Sequence, residues 1–114
     1  MKIHNTTKGI LLAQDAFLAD RLWCRVKGLL GKTGLPSGSG LVLKPCNSIH
    51  TFFMRFPIDV IFVDRNSRVV KTLPGLKPFH LTPIYFNAYL TIELPAGLIQ
   101  ASATLEGDTL RIEE

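Results

Sequence analysis

Apolar residues recur at helical spacing in the stretch "DAFLADRLWCRVKGLLG", Asp15 to Gly31. At about 100° per residue, Leu18, Leu22, Val26 and Leu29 fall on one stripe with Trp23 and Leu30 beside it, while Asp20, Arg21 and Lys27 lie away from it. The pattern predicts an amphipathic helix over Ala16 to Leu30, capped by Asp15 and stopped at Gly28 or Gly31, with Cys24 on its polar side. Beyond "KTGLPSGSG", a loop by its Gly, Pro and Ser, the period shortens to that of strands. Leu41 to Leu43 reads as a strand, and "IHTFFMRF" as an extended stretch cut off by Pro57. Ile58 to Val63 and Arg68 to Leu73 form a hairpin about the turn "RNS". "PGLKPFHLTPIYF" reads as a surface loop or irregular edge. Ala88 to Leu94 is a strand rich in β-forming residues. A turn at Pro95 to Gly97, a short helical or irregular piece, a turn at Gly107 to Asp108 and a strand at Thr109 to Ile112 complete the chain.

One helix followed by strands with short turns predicts a mostly β, or α+β, fold. Its form is a small antiparallel β-barrel or rolled sheet with one packed amphipathic helix, as a single domain over residues 1–114. A hydrophobic content of 46% is enough for a core without staples. The net charge of +4 and pI near 9.3 change the picture little, because the 13 Lys and Arg form no run, and no nucleic-acid partner is expected. No apolar run reaches the ~18 residues of a membrane span. The apolar piece Ile10 to Ala13 is too short for a secretory leader, so the expected compartment is a cytoplasm of bacterial type. Two cysteines, Cys24 and Cys46, make neither a disulfide framework nor a zinc pattern and are expected as free thiols.

Candidate chemistry gathers in "KPCNSIHTFFMRFPIDVIFVD", Lys44 to Asp64. In extended backbone His50, Phe52 and Met54 point one way and Thr51, Phe53 and Arg55 the other. In the next strand Asp59, Ile61 and Val63 share a face opposite Ile58, Val60 and Phe62. Three functional readings follow. Cys46 as a nucleophile, with His50 as base and Asp59 orienting it, would make a hydrolase or transferase. Cys46, His50 and Met54 are the soft ligands that copper(I) prefers, although Met54 beside Phe52 and Phe53 reads more readily as core, and no metal or cofactor is expected. Cys46, His50, Met54 and Asp59 could instead line a pocket for a small molecule or peptide. Against all three stands a scaffold reading, in which each polar group is buried and satisfied by a hydrogen bond. Glu93 and Asp108 are further pocket candidates that also fit as turn and cap residues.

The segments "RVKGLLGK", "GLVLKPCNSIHTFFMRFPIDVIFVD", "VVKTLPGLKP", "TIELPAG" and "LEGDTLRI" resemble the family called domain of unknown function 192, from about Ala16 to Ile112. The resemblance implies a compact β-rich domain, found mainly in prokaryotes, with no established activity. "LEGDTLRI" also resembles the Gly-Asp turn of cradle-loop barrels, which supports a barrel and says nothing of function. The expected function is therefore a ligand- or partner-binding β module with a polar pocket around Cys46, His50 and Asp59. The alternatives are a Cys/His-dependent enzyme and a protein-interaction adaptor, the latter marked by exposed apolar side chains around "PGLKPFHLTPIYF".

Overall fold

The computed structural model describes residues 1–19, 35–52 and 54–114. Among these residues eight strands and one short helix follow in order: β1 Lys2–Asn5, β2 Ile10–Ala13, β3 Asp15–Ala19, β4 Ser39–Leu43, β5 Ile58–Val63, β6 Val69–Leu76, β7 Leu90–Pro95, α1 Leu98–Ser102 and β8 Leu110–Glu113. They make a three-stranded sheet, β2-β1-β8, and a five-stranded sheet, β3-β4-β7-β5-β6. All pairings are antiparallel except β3 with β4. Arg68 bridges Thr109 between the two sheets, and among the described residues the strands do not close into a barrel. Among the described residues no helix is long and apolar enough to cross a membrane.

Alternation sorts the five-stranded sheet into two cores. One face sends Val42, Ile61, Val63, Ile92 and Leu94 against Ile3, Leu12 and Leu110 of the smaller sheet and Ile99 of α1. The other sends Leu41, Leu43, Ile58, Val60 and Phe62 against Cys46, Ile49 and Phe56, with Met54 and Tyr85 at its edge. Every residue of β5 is buried because both faces of its sheet are covered. Full burial of each such aliphatic or aromatic side chain stabilises by about 1.5–3 kcal/mol before the cost of chain ordering. Gly40 of β4 sits where strands approach closely: a Cβ there would lie 3.1 Å from Leu94 Cδ2 and 3.3 Å from Ala13 Cβ.

Two expectations need correcting. Residues 15–19, the start of the predicted helix, form β3. Asp15 pairs with Ser39 and Leu18 with Val42 in parallel register, so Asp15 begins a strand and is no helix cap. Hydrogen bonds from the Asp15 N–H to Gly38 O (2.9 Å) and from the Ala16 N–H to Met1 O (2.9 Å) hold it there. The edge of β4 offers ladder partners that outweigh the local helical period, which tertiary context routinely overrides. The remainder of the predicted helix, with Cys24, lies outside the described residues. Among its described residues the stretch after His50 is not a strand either: His50 forms an isolated bridge with Leu81, and the Met54 N–H turns back to Thr51 O at 3.2 Å.

Candidate functional site

Asp59 is fully buried on the face of β5 that carries Ile61 and Val63, opposite Leu94 of β7. Its carboxylate Oδ1 accepts the Gly75 N–H at 2.8 Å and its Oδ2 accepts the Ile99 N–H at 2.7 Å. No side chain of α1's own N-terminus caps it, so Asp59 supplies an acceptor to the first turn from a neighbouring strand. A second bond fixes β6 beside Pro74, where Gly75 has φ +60°. Asp59 is thereby occupied in tying β5, β6 and α1 together.

Cys46 lies across the sheet from it. The thiol is free, 4% exposed, and packs with Leu43, Ile49 and Phe62 on the other face. The Cys46 Sγ–H donates to Ser48 O at 3.2 Å, the Cys46 N–H to Tyr89 O at 2.9 Å, and Thr91 Oγ1–H to Cys46 O at 3.1 Å. His50 is half-buried and stacks on Phe52 at 5.0 Å between centroids with an interplanar angle of 22°. Phe52 is 42% exposed, so it does not form an internal apolar wall, whereas Met54 packs on the Cys46 core. The expected grouping of Cys46, His50 and Asp59 does not assemble, because the sheet itself stands between Cys46 and Asp59.

Glu93 shares the face of the Cys46 core, in the middle strand, opposite Leu41 on one side and Val60 on the other. Burial pushes its carboxyl from 4.5 up to about 7, and among the described residues no hydrogen bond reaches it to offset that. Asp108 stands elsewhere, in a buried network at the end of the small sheet. Burial alone would raise its carboxyl, but Asn5 Nδ2–H at 3.0 Å, the Leu105 N–H at 3.0 Å and the Lys8 ammonium at 3.6 Å outweigh it and hold the group below its ordinary value. Asn5 also donates to Thr104 Oγ1 at 3.0 Å. The Gly-Asp turn thus carries a structural clamp between β1 and the segment before β8. Among the described residues no group of three metal-ligating side chains forms.

Two irregular segments cover the Cys46 core and are laced to each other. The Tyr85 N–H donates to Asn47 O at 2.9 Å, the Thr82 N–H to Ile49 O at 3.0 Å, the Ile49 N–H to Thr82 Oγ1 at 3.0 Å, and the Thr51 N–H to His80 O at 2.8 Å. Buried Thr51 Oγ1 adds a bond to Lys77 O at 2.7 Å, and Phe79 is held at φ +63° with its N–H on Thr51 O. A left-handed backbone at an aromatic residue is strained by about 1–3 kcal/mol and persists only when its surroundings impose it. This pinned loop displays Phe79, Leu81, Ile84 and Phe86 at 74%, 69%, 53% and 85% exposure. Beside Phe86 opens a groove of about 650 Å³ lined by Cys46, Asn47, Arg65, Asn66, Asn87 and Tyr89. Arg65 Cζ lies 4.1 Å and Lys44 Nζ 5.6 Å from the centroid of the Tyr89 ring. None of these groove residues except Cys46 stood out in the sequence, where Arg65 and Tyr89 are far apart and belong to no motif.

The family described as "Uncharacterized ACR, COG1430", the domain of unknown function 192, matches residues 3–112. The UPF0127 protein PH1112 of Pyrococcus horikoshii is 33% identical over 114 residues, covering 96% of each chain. The UPF0127 protein TK1120 of Thermococcus kodakarensis is 36% identical over 112 residues, covering 95% of this chain and 71% of that one. A solved protein of unknown function from Novosphingobium aromaticivorans shares the fold with a TM-score of 0.80 at 21% identity, over 97% of this chain and 82% of that one. A family match over residues 3–112, nearly the whole chain, makes this protein a member of the domain of unknown function 192 family.

Proposed function

We propose that this protein is a partner-binding β module that takes an extended polypeptide segment of apolar and acidic residues on the face built by residues 45–52 and 77–89. The observation that carries the reading is the exposure of Phe79, Leu81, Ile84 and Phe86 on a loop held by hydrogen bonds. Contiguous exposed apolar side chains mark interaction sites, and a loop ordered in advance loses little entropy when it binds. Charge supports the acidic part. Segments 44–57 and 77–89 hold Lys44, Arg55 and Lys77 and no aspartate or glutamate. The concave groove beside Phe86 favours a polypeptide, which can fill a cleft, over a flat lipid surface. Cys46, Met54 and Glu93 then belong to the layer beneath this face and His50 to its rim, while Asp59 and Asp108 serve the scaffold.

The test is selection from a displayed library of random dodecapeptides, repeated with a Leu81→Ser/Ile84→Ser variant whose circular dichroism and melting temperature are checked first. The reading expects peptides rich in apolar and acidic residues, bound at least about tenfold more weakly by the variant. Failure to enrich any sequence, or enriched peptides that bind both proteins equally, would sink it. Variant-sensitive sedimentation with phosphatidylserine vesicles, without peptide enrichment, would replace it by a membrane-surface reading.

A further inference from the structure

The geometry points to a carboxylate-binding site in the groove, with the guanidinium of Arg65 as its cation, Tyr89 as the platform that Arg65 shares with the ammonium of Lys44 just outside the lining, and Asn47, Asn66 and Asn87 as sources of neutral donors. This deepens the partner-binding reading and rests on it: the site would take an acidic group of the docked segment. Four observations converge.

The first is the pair of cations at one ring, Arg65 Cζ at 4.1 Å and Lys44 Nζ at 5.6 Å from the Tyr89 centroid. An aromatic face attracts and orients a cation but leaves its charge unneutralised, so the fork of N–H donors on Arg65 stays available for a planar anion. The second is that neither cation is in any ion pair found among the described residues, where the pairs are His4 and Arg111 with Glu113, Lys8 with Asp108 and Lys71 with Glu106. The third concerns Asp64, the one acid lining the groove among the described residues. Its Oδ1 accepts the N–H groups of Asn66 at 2.8 Å and Arg68 at 3.0 Å, so it is engaged in closing its own turn. The fourth is the lining. Asn47, Asn66 and Asn87 all line the one cleft, and so does Phe86, 85% exposed, against which an apolar neighbour of the carboxylate would rest.

A carboxylate suits this arrangement because its two oxygens can accept the paired N–H groups of a guanidinium at once, a match that a halide cannot make. A side chain and a chain terminus are the two sources of such a carboxylate, and the probes separate them. Isotope-labelled protein is titrated with N-acetyl-phenylalaninate, which has a terminal carboxylate, with N-acetyl-phenylalanyl-glutamate α-amide, which has only a side-chain carboxylate, and with N-acetyl-phenylalaninamide, which has none. The expected result is backbone amide shifts confined to Asn47, Arg65, Asn66, Asn87 and Tyr89, with at least one carboxylate probe bound about fivefold or more tightly than the amide. The tighter of the two names the source. A Lys44→Gln/Arg65→Gln double variant should keep its melting temperature and lose that preference. The inference is overturned if no probe shifts these amides, if amide and carboxylate probes bind alike, if the double variant keeps the preference, or if inorganic phosphate produces the same shifts at the same concentration. Titration of the Leu81→Ser/Ile84→Ser variant separates this failure from that of the partner reading, since those substitutions leave the groove intact and should leave probe binding unchanged.

Discussion

Replacing Glu93 with glutamine removes a buried ionisable group while nearly preserving its shape. Glu93 lies between Leu41 and Val60 in the central strand, and burial raises its carboxyl from 4.5 to about 7. Because the folded value is above the unfolded one, the native state holds this proton more tightly and folding takes one up between those two pH values. The stabilisation from the protonated side chain is fully present below pH 4.5 and is lost as pH rises through about 7. At about 1.4 kcal/mol per pH unit, that interval is worth on the order of 3 kcal/mol. Glutamine stays neutral throughout, so stability measured by urea unfolding, followed by circular dichroism, should change less with pH in the variant. The difference, variant minus wild type, should rise by about 3 kcal/mol from pH 4.5 to pH 8, where the variant gains most. A glutamine amide without a partner costs about 1–3 kcal/mol, which lowers the whole difference curve without changing its slope. Asp108 titrates in both proteins with the opposite sign, its stabilising contribution lost as pH falls, and cancels in the subtraction. Parallel pH profiles would refute the assignment of a buried, desolvated carboxyl at Glu93.

Asp59→Ala removes the acceptor of two backbone N–H groups and leaves that of Ile99 buried; a loss of about 3–5 kcal/mol is expected. With about 2.1 cal/mol/K of unfolding entropy per residue, this is a fall of about 12–20 °C in melting temperature. A loss below about 1 kcal/mol would contradict the clamp role. Cys46, in a Cys24→Ser background, should react with iodoacetamide only as fast as the protein opens, since its sulfur is buried and bonded to Ser48 O; rapid alkylation of the folded protein would revive the enzyme reading.

The alternation of Ile58 to Val63 determined a strand with the same bounds as β5, and it placed Asp59 with Ile61 and Val63 on one face and Val60 with Phe62 on the other. Side-chain direction along a strand follows from backbone geometry alone, so a single segment suffices. The same is true of the turn at Pro95 to Gly97 with a short helical piece behind it, and, beyond Leu76, of the loop expected over Pro74 to Phe86, whose first three residues belong to β6. Tertiary context decided what local rules left open. Pro74 was a sound reason to end the second hairpin strand at Leu73, yet β6 runs to Leu76 because it is the edge of its sheet, where a missing N–H costs no ladder bond. Asp15 to Ala19 carry a helical period and pair with β4 instead, because five residues of local preference are weaker than a row of available ladder partners. Which sheet face the Cys46 turn would cover was also beyond the sequence, and that choice separates Cys46 from Asp59. The groove depends on the same kind of fact: Lys44, Arg65 and Tyr89 come from three separate segments, and only the register of β5 on β7, with the lacing of the two loops, brings them to one ring.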